Sequence, residues 1–507
     1  MKRWIILLAV CLLCFAAAGC GNSSASSGTS GTSGSENTTV TEPPVEELTM
    51  VVTEQTISQL EAFPDLKRVD LSGSTCYSAI ASYMAAHPEV EVIYTVSLGG
   101  AVISSSTTSL TLEAGTFDYA LLLQNLQYLP NLTEVWLNRT DLTAAEMAAL
   151  QEASDLVRYT VQVGDVELTE ETQQVDLSGL PADQVETAAQ RLTLLPNLSQ
   201  VELMTQEDTS PLSVQDVRVL QQALPNVTFH YAFDLFGQTL SLADTRVEFV
   251  EADIGDAGEE QIRAALDILT ECEYFLLDNC GLSNEVLAQI RDDYPQTKVV
   301  WRIFQENKGR SWLTDTLVLR AVYGINNTNS GVLKYLTEVK YMDLGHNTSM
   351  TDLSFCAYMP DLEIAILSGS PITDLTPLAN CKKLEFLEVA WCGHLKDISP
   401  LAQCDSLKYL NIGHTKVSDL SPIYGLAMEM LSYVNSGTRV GFTDATWAEI
   451  QSHLPNCWIT YAPLADNNAS PYGVGWRYKE GWKGYTDIYK KVREVFDYDY
   501  IDSLLKG

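Results

Sequence analysis

Residues 384–423 read LEFLEVAWCGHLKDISPLAQCDSLKYLNIGHTKVSDLSPI, and one phrase occurs twice within them. Leu384, Leu387 and Val389 return as Leu407, Leu410 and Ile412, and Asp397-Ile398-Ser399-Pro400-Leu401 returns as Asp419-Leu420-Ser421-Pro422-Ile423. Working outward, the first phrase opens at Val339, Leu362, Leu384, Leu407 and Met428, in steps of 23, 22, 23 and 21 residues, and the second is present again as Asp374-Leu375-Thr376-Pro377-Leu378. Alternating apolar residues over so short a span predict a strand with one face turned inward. Proline in the return phrase blocks a long helix and keeps the opposite side of each repeat tight. A fixed period of this length predicts stacked coils that bury a continuous core between neighbours.

Period and phrases together resemble the leucine-rich repeat, in particular the short internalin-like kind found on bacterial surfaces. The family places Asn three residues after the last apolar residue of the strand, where it bonds neighbouring backbone inside the turn. Here that position holds Asn347, Ser370, Cys392, Thr415 and Ser436. Ser, Thr and Cys supply weaker versions of the same bond, so Cys392 is read as structural. The resemblance implies an α/β leucine-rich-repeat solenoid that binds partners on its concave strand face.

The preceding sequence carries the strand phrase at longer spacing, in Leu66-Val69-Leu71, Leu132-Val135-Leu137, Leu198-Val201-Leu203 and Cys272-Phe275-Leu277. Its turn positions are Ser74, Thr140, Gln206 and Cys280. A helical pattern follows each phrase, then a second strand with Tyr94, Tyr159, Tyr231 or Trp301 at matching places, then a glycine turn. Four long α/β units over 48–330 are predicted, leading without a linker into short repeats over 331–440, and then into a half-unit and aromatic cap over 441–507. The long units exceed the 20–29 residues usual for a leucine-rich repeat. One continuous solenoid is the expectation.

At the start, Lys2 and Arg3 precede an apolar run from Trp4 to Ala18, followed by Gly19 and Cys20. The run is shorter than the roughly 20 residues a spanning helix needs and is read as a signal peptide over 1–19. Ala16-Ala17-Ala18-Gly19-Cys20 resembles the bacterial lipobox, which implies a diacylglycerol on Cys20 and an anchor on the extracytoplasmic face of the cell membrane, with Ala17 where the family more often has Leu. An ordinary secretory signal cut elsewhere is the alternative. Residues 20–47 hold the modified cysteine and a Gly/Ser/Thr-rich tether. Cys11 and Cys14 form a CxxC inside the removed run and carry no chemistry.

The 507-residue chain has 66 acidic residues against 31 Lys and Arg, a formal charge of -35. Such acidity disfavours nucleic acid as a partner. HExxH, P-loop, GxSxG and calcium-loop patterns are absent and the six histidines are scattered, so no catalytic residue, metal or cofactor is expected. Cys381 and Cys404 take a slot filled elsewhere by Met359 and Leu426, which marks them as apolar fillers.

The candidate ligand-binding residues are those between the inward apolar ones: Tyr341, Ile364, Phe386 and Tyr409, continued by Met430, with Trp391 and His414 beside them. Aromatic and aliphatic side chains facing solvent in one column predict a recognition patch for an unknown protein or glycan. The competing reading stacks these rings on one another or covers them with the tail. That tail, Tyr472 to Tyr500, holds nine aromatics, and Tyr485, Tyr489, Val492 and Phe496 share one helical face. It is read as a terminal cap, with a glycan platform or membrane-facing element as alternatives. The resulting expectation is a non-enzymatic surface lipoprotein for recognition or adhesion. The alternatives are a structural scaffold of the envelope and, further off, an enzyme with an unrecognised site.

Overall fold

The computed structural model describes residues 44–305, 309–433, 442–460 and 487–498. The signal peptide, Cys20 and most of the tether lie outside these residues, as do Ser436, Tyr472, Trp476, Tyr478, Trp482, Tyr485 and Tyr500. The chain divides into two compact units, the first comprising the described residues up to Ser97 with 102–106 and 127–130, the second comprising the rest.

In the first unit, strands Glu47–Thr49, Arg68–Asp70 and Glu91–Ile93 pair in parallel and in sequence order. Helix Tyr77–Ala86 lies between the last two strands, burying Ile80 and Tyr83. After Tyr94 the chain turns into an antiparallel hairpin, Thr95–Ser97 with Val102–Ser104. Tyr94 is buried at this corner and its hydroxyl donates to the Tyr128 carbonyl at 2.6 Å.

The second unit repeats that plan three times. Strands Ser109–Glu113, Glu134–Asn138 and Val157–Val163 are parallel, and the third runs on to pair with Val166–Thr169. Gln174–Asp176, Gln200–Glu202 and Thr228–His230 follow, with the hairpin Ala232–Leu235/Gln238–Ser241, and then Arg246–Val250, Tyr274–Asp278 and Lys298–Gln305 with Arg310–Leu313. The registers resolve the excess length of the long units. Ser109 pairs with Glu134, Val135 with Val157, Gln200 with Thr228 and Tyr274 with Lys298, offsets of 25, 22, 28 and 24 residues. Each long unit is therefore two coils of leucine-rich length, a third strand and a hairpin. Among the described residues each parallel set is a sheet of its own, closed in the long units by its hairpin. Gly237 at φ 81° and Gly309 at φ 62° supply the left-handed corners that two of the hairpins need.

Helix starts follow local sequence. Thr143 and Ser213 accept from the backbone of Glu146 and Asp216, whose carboxylates reach back to the cap residue. In the short repeats Pro377, Pro400 and Pro422 sit at the first positions of 3-10 turns Thr376–Asn380, Ser399–Gln403 and Ser421–Ile423. Asp374, Asp397 and Asp419 accept from the backbone of Thr376, Ser399 and Ser421 at 2.7 to 2.9 Å. An Asx turn followed by proline starts each return segment and holds it to about one turn.

The short repeats make one seven-stranded parallel sheet, in sequence order, from Val318–Arg320 through Tyr341–Asp343, Ile364–Ile366, Phe386–Glu388, Tyr409–Asn411 and Met430–Ser432 to Trp458–Thr460. It begins before residue 331 and takes in the strand after helix Asp444–His453. Asn347 makes the turn bonds expected of it, donating to the carbonyls of Ala321 (2.9 Å) and Leu344 (2.8 Å) and accepting from Ile325 N (2.7 Å). Thr415 and Cys392 bond single carbonyls of Ile412 and Leu367. Gln206 departs from this plan: it is exposed, so it supplies no inward bond in its turn.

Candidate strand-face recognition site

Strand register sets the geometry of the site. Val318, Tyr341, Ile364, Phe386, Tyr409, Met430 and Trp458 are successive partners and form one column. Two residues on, Arg320, Asp343, Ile366, Glu388, Asn411, Ser432 and Thr460 form a second. The opposite face holds Leu319, Met342, Ala365, Leu387, Leu410 and Leu431 in the repeat interior, all fully buried, with Ile459 of the last strand half-buried.

The centre of the first column does not face solvent, which corrects the expectation of an exposed patch and agrees with the competing reading in which the tail covers it. Phe386 is 1% and Ile364 0% exposed. Helix Asp487–Phe496 lies on this face, and Ile488, Tyr489, Val492 and Phe496, with Tyr498 just beyond, form a single apolar cluster with Ile364, Ile366, Phe386 and Met430. Tyr341, Tyr409, Val318 and Trp458 pack at its margin. The Tyr489 ring meets Phe386 edge-on at 5.4 Å, a favoured aromatic geometry. The tail was expected to cap the end of the repeats; its described helix crosses their strand face instead. The physical reason is composition: seven adjacent strands presenting rings and aliphatic chains leave too large an apolar surface for water, and the chain has an amphipathic helix to cover it.

Polar contacts fix the helix in register. Lys491 Nζ lies 2.8 Å from Glu363 Oε2 and 5.1 Å from the centroid of the Tyr341 ring. Burial works to raise the Glu363 pKa, but the hydrogen bond and charge of Lys491, with help from Tyr341 and Lys340, outweigh it and hold the carboxyl below its ordinary range. The Tyr498 hydroxyl donates to Asp343 Oδ2 at 2.5 Å, and the Arg320 guanidinium sits 5.3 Å from the Tyr498 ring centre. At the other margin the Tyr409 hydroxyl donates to Glu429 at 2.5 Å, and burial followed by that bond raises its pKa.

Trp391 and His414, read as lying beside the column, sit in the turns after the strands. With Tyr323, His346 and Gly369 they occupy equivalent positions of successive repeats, all in the left-handed region at φ 58° to 75°. Trp391 stacks on His414 at 3.8 Å and Tyr323 on His346 at 5.5 Å. Tyr323 is 62% and Trp391 38% exposed. An added Cβ at Gly369 would lie 2.9 Å from the His346 ring, so this ring leans over the glycine. Bulky residues with positive φ are uncommon and carry backbone strain of roughly 1–3 kcal/mol each. The structure thus separates the candidates: Tyr341, Ile364, Phe386, Tyr409 and Met430 lie in the strand column against the helix, and Trp391 and His414 in the row of turn rings. Sequence reading missed Tyr323, Val318 and Trp458, which repeat equivalence would have found, and the Lys491–Glu363 pairing, which no local signal carries.

The strand faces of the long units are polar and paired across neighbouring strands. Arg68 lies 3.6 Å from Glu91, His230 3.2 Å from Glu202, and Arg302 meets both oxygens of Asp278 at 2.6 and 2.7 Å. Among the described residues no cluster of His, Cys, Asp and Glu could hold a metal ion, and no helix is long and apolar enough to cross a membrane.

No family model matches the chain, and no curated protein does. Solved structures do. An internalin of Listeria monocytogenes is similar at 15% identity over 82% of this chain and 85% of its own, with a TM-score of 0.23. A leucine-rich-repeat protein of Leptospira interrogans is similar at 17% identity over 70% and 90%, TM-score 0.26. Internalin C2 of Listeria monocytogenes follows at 16% identity over 51% and 88%, TM-score 0.19. These neighbours are leucine-rich-repeat proteins. The leucine-rich character of the present chain stands on its own phrases, coil lengths and strand registers.

Proposed function

We propose that this chain is a non-enzymatic recognition protein, held at the extracytoplasmic face of the cell membrane by a lipid on Cys20, whose repeats form a solenoid that binds a protein or glycan. The observation that carries the reading is the strand face of residues 318–460. It is a seven-residue apolar column with acidic groups beside it, and it is already shaped to hold a folded segment. Broad apolar surfaces of this kind are what recognition interfaces use. The exposed turn rings of Tyr323, His346 and Trp391 favour a glycan as the alternative ligand, since ring faces stack on sugar faces. A scaffold role in the envelope is the second reading, favoured by the burial of the column under the chain's own helix.

The test is a pull-down from envelope and host-surface extracts with the full chain as bait. Two folded variants serve as controls, Tyr323→Ala with His346→Ala, and Tyr341→Ala with Tyr409→Ala. A partner held by the parent and lost by either variant supports recognition and tells the two faces apart. Equal capture by all three, or none, supports the scaffold reading.

A further inference from the structure

The contacts of the C-terminal helix contain more than coverage. Residues 487–496 carry Lys490, Lys491 and Arg493 against Asp487 and Glu494, in a chain whose formal charge is -35. The helix is thus a locally basic segment on an acidic body. Its apolar residues fall at positions 488, 489, 492 and 496, the spacing of one helical stripe, and all four are buried against the strand column. Two side-chain bonds select this sequence and direction, Lys491 to Glu363 near the middle and Tyr498 to Asp343 beyond the end. Helix-in-groove recognition elsewhere uses the same parts: apolar anchors about a turn apart and charges that fix register.

The connection is covalent but long. Twenty-six residues, 461–486, separate the last strand from the helix. The bonds from Lys491 and Tyr498 are made by side chains to residues more than a hundred positions away, which is how a separate helix would be recognised by the same face. The sheet's own hydrogen-bond ladder is complete without it, since Val318–Arg320 through Trp458–Thr460 pair with one another.

We propose that the strand face of residues 318–460 is a receptor site for a basic amphipathic helix, that helix Asp487–Phe496 is its resident occupant in cis, and that a partner protein engages the face by presenting a helix of the same pattern in its place. This rests on the recognition reading above and names its ligand class. The partner helix carries aliphatic or aromatic residues at i, i+1, i+4 and i+8, a lysine at i+3 to meet Glu363 and a hydroxyl-bearing aromatic at i+10 to meet Asp343. The acidic body disfavours an acidic helix at the same place.

The test uses a fluorescein-labelled peptide of residues 485–500 and the full chain. The parent, its face filled in cis, should bind the peptide weakly. A variant carrying Tyr489→Asp and Val492→Glu frees the face and should bind at least about tenfold more tightly, because it no longer competes with a tethered copy. Adding Ile364→Asp and Phe386→Asp should remove that binding, and a peptide with Lys491→Glu should bind more weakly than the parent peptide. Equal binding by parent and freed variant, or binding indifferent to the Ile364 and Phe386 changes, overturns the proposal. Loss of the cooperative unfolding transition in the freed variant also overturns it, since the helix would then be an inseparable part of the core. A protease site inserted within 461–486 provides a second arm with the helix unaltered. After cleavage, exchange of the native helix for labelled peptide by a body that keeps its melting transition supports the site, and absence of exchange overturns it. Peptide exchange with no partner captured from extracts would leave the site standing and weaken the wider recognition role. Capture lost only with the Tyr323 and His346 changes, without exchange, would do the reverse.

Discussion

The Tyr498 hydroxyl donates to the Asp343 carboxylate at 2.5 Å, joining residues 155 positions apart in the chain. Both groups are buried, so the bond is made where water does not compete and where a missing partner is costly. It ties the end of the tail to the second strand of the short-repeat sheet.

Removing an anchor of the helix should loosen it without unravelling the sheet. Phe496 is fully buried in the strand-face cluster, and truncating such a ring costs about 3–5 kcal/mol where the site does not collapse. Phe496→Ala should speed amide hydrogen exchange through residues 487–496 by orders of magnitude. Exchange in strands Ile364–Ile366 and Phe386–Glu388 should change far less. Parallel loss of protection in both would show that helix and sheet unfold together.

Acid should release the helix through Glu363. Its carboxyl is held below the ordinary glutamate range in the folded chain, Lys491 outweighing the effect of burial, so the folded state binds fewer protons there than the unfolded one. The contribution is therefore complete above the ordinary glutamate pKa and lost as pH falls through the lowered value. Lys491 is raised, burial opposing and the Glu363 bond prevailing, so its share persists until pH rises through that raised value. Protection of residues 487–496 in the parent should decline at acid pH more steeply than in Glu363→Gln. Coincident profiles would refute the pairing.

The thiols should be inert while the protein is folded. Burial pushes Cys381, Cys392 and Cys457 up to about 12 and Cys404 to about 11, and raises Cys356 well above the ordinary thiol range. At pH 8 an aromatic disulfide reagent should label only Cys76, the half-buried one, before unfolding. In guanidinium these six should all react, together with the buried Cys272 and Cys280.

Asn347 should be the costliest turn position of the short repeats. Its side chain serves three backbone groups inside the turn, at 2.7 to 2.9 Å. Asn347→Ala leaves Ile325 N and two carbonyls without it, a loss on the order of 3 kcal/mol by urea denaturation. Thr415→Ala, which gives up a bond to one carbonyl and a weaker one to Val417 N, should cost about a third as much.

Membrane retention should depend on Cys20. Cys20→Ala should shift the protein from the membrane to the soluble fraction, and the parent's N-terminal peptide should carry the mass of a diacylglycerol. Retention of the variant would point to an ordinary secretory signal and another anchor.

Leucine-rich coils were legible because their physics is local. Alternation in Leu384-Leu387-Val389 sets a strand, Asp397 and Pro400 start and shorten the return turn, and the period sets the stacking. Equivalence between repeats also places Tyr341, Ile364, Phe386 and Tyr409 in one column from sequence alone. Two features were less visible. The long units looked too long because a hairpin, which ends a strand ladder, looks in sequence like one more pair of strands in the repeat. Repeat equivalence sets Trp391 and His414 beside the column but does not show their left-handed backbone, which has no sequence mark when the residue is not glycine.

The sequence by itself determined the short-repeat coils, their registers and the chemistry of each column, since these follow from side-chain period and turn residues within a few tens of positions. Only the tertiary structure decided what lies on the strand face. Helix Asp487–Phe496 meets Glu363 across 128 positions and Asp343 is met by Tyr498 across 155. An amphipathic helix specifies that its apolar stripe must be buried, but hydrophobic burial is non-directional and names no partner. The choice of this sheet was made by matching charges and shapes that come together only when the chain is folded.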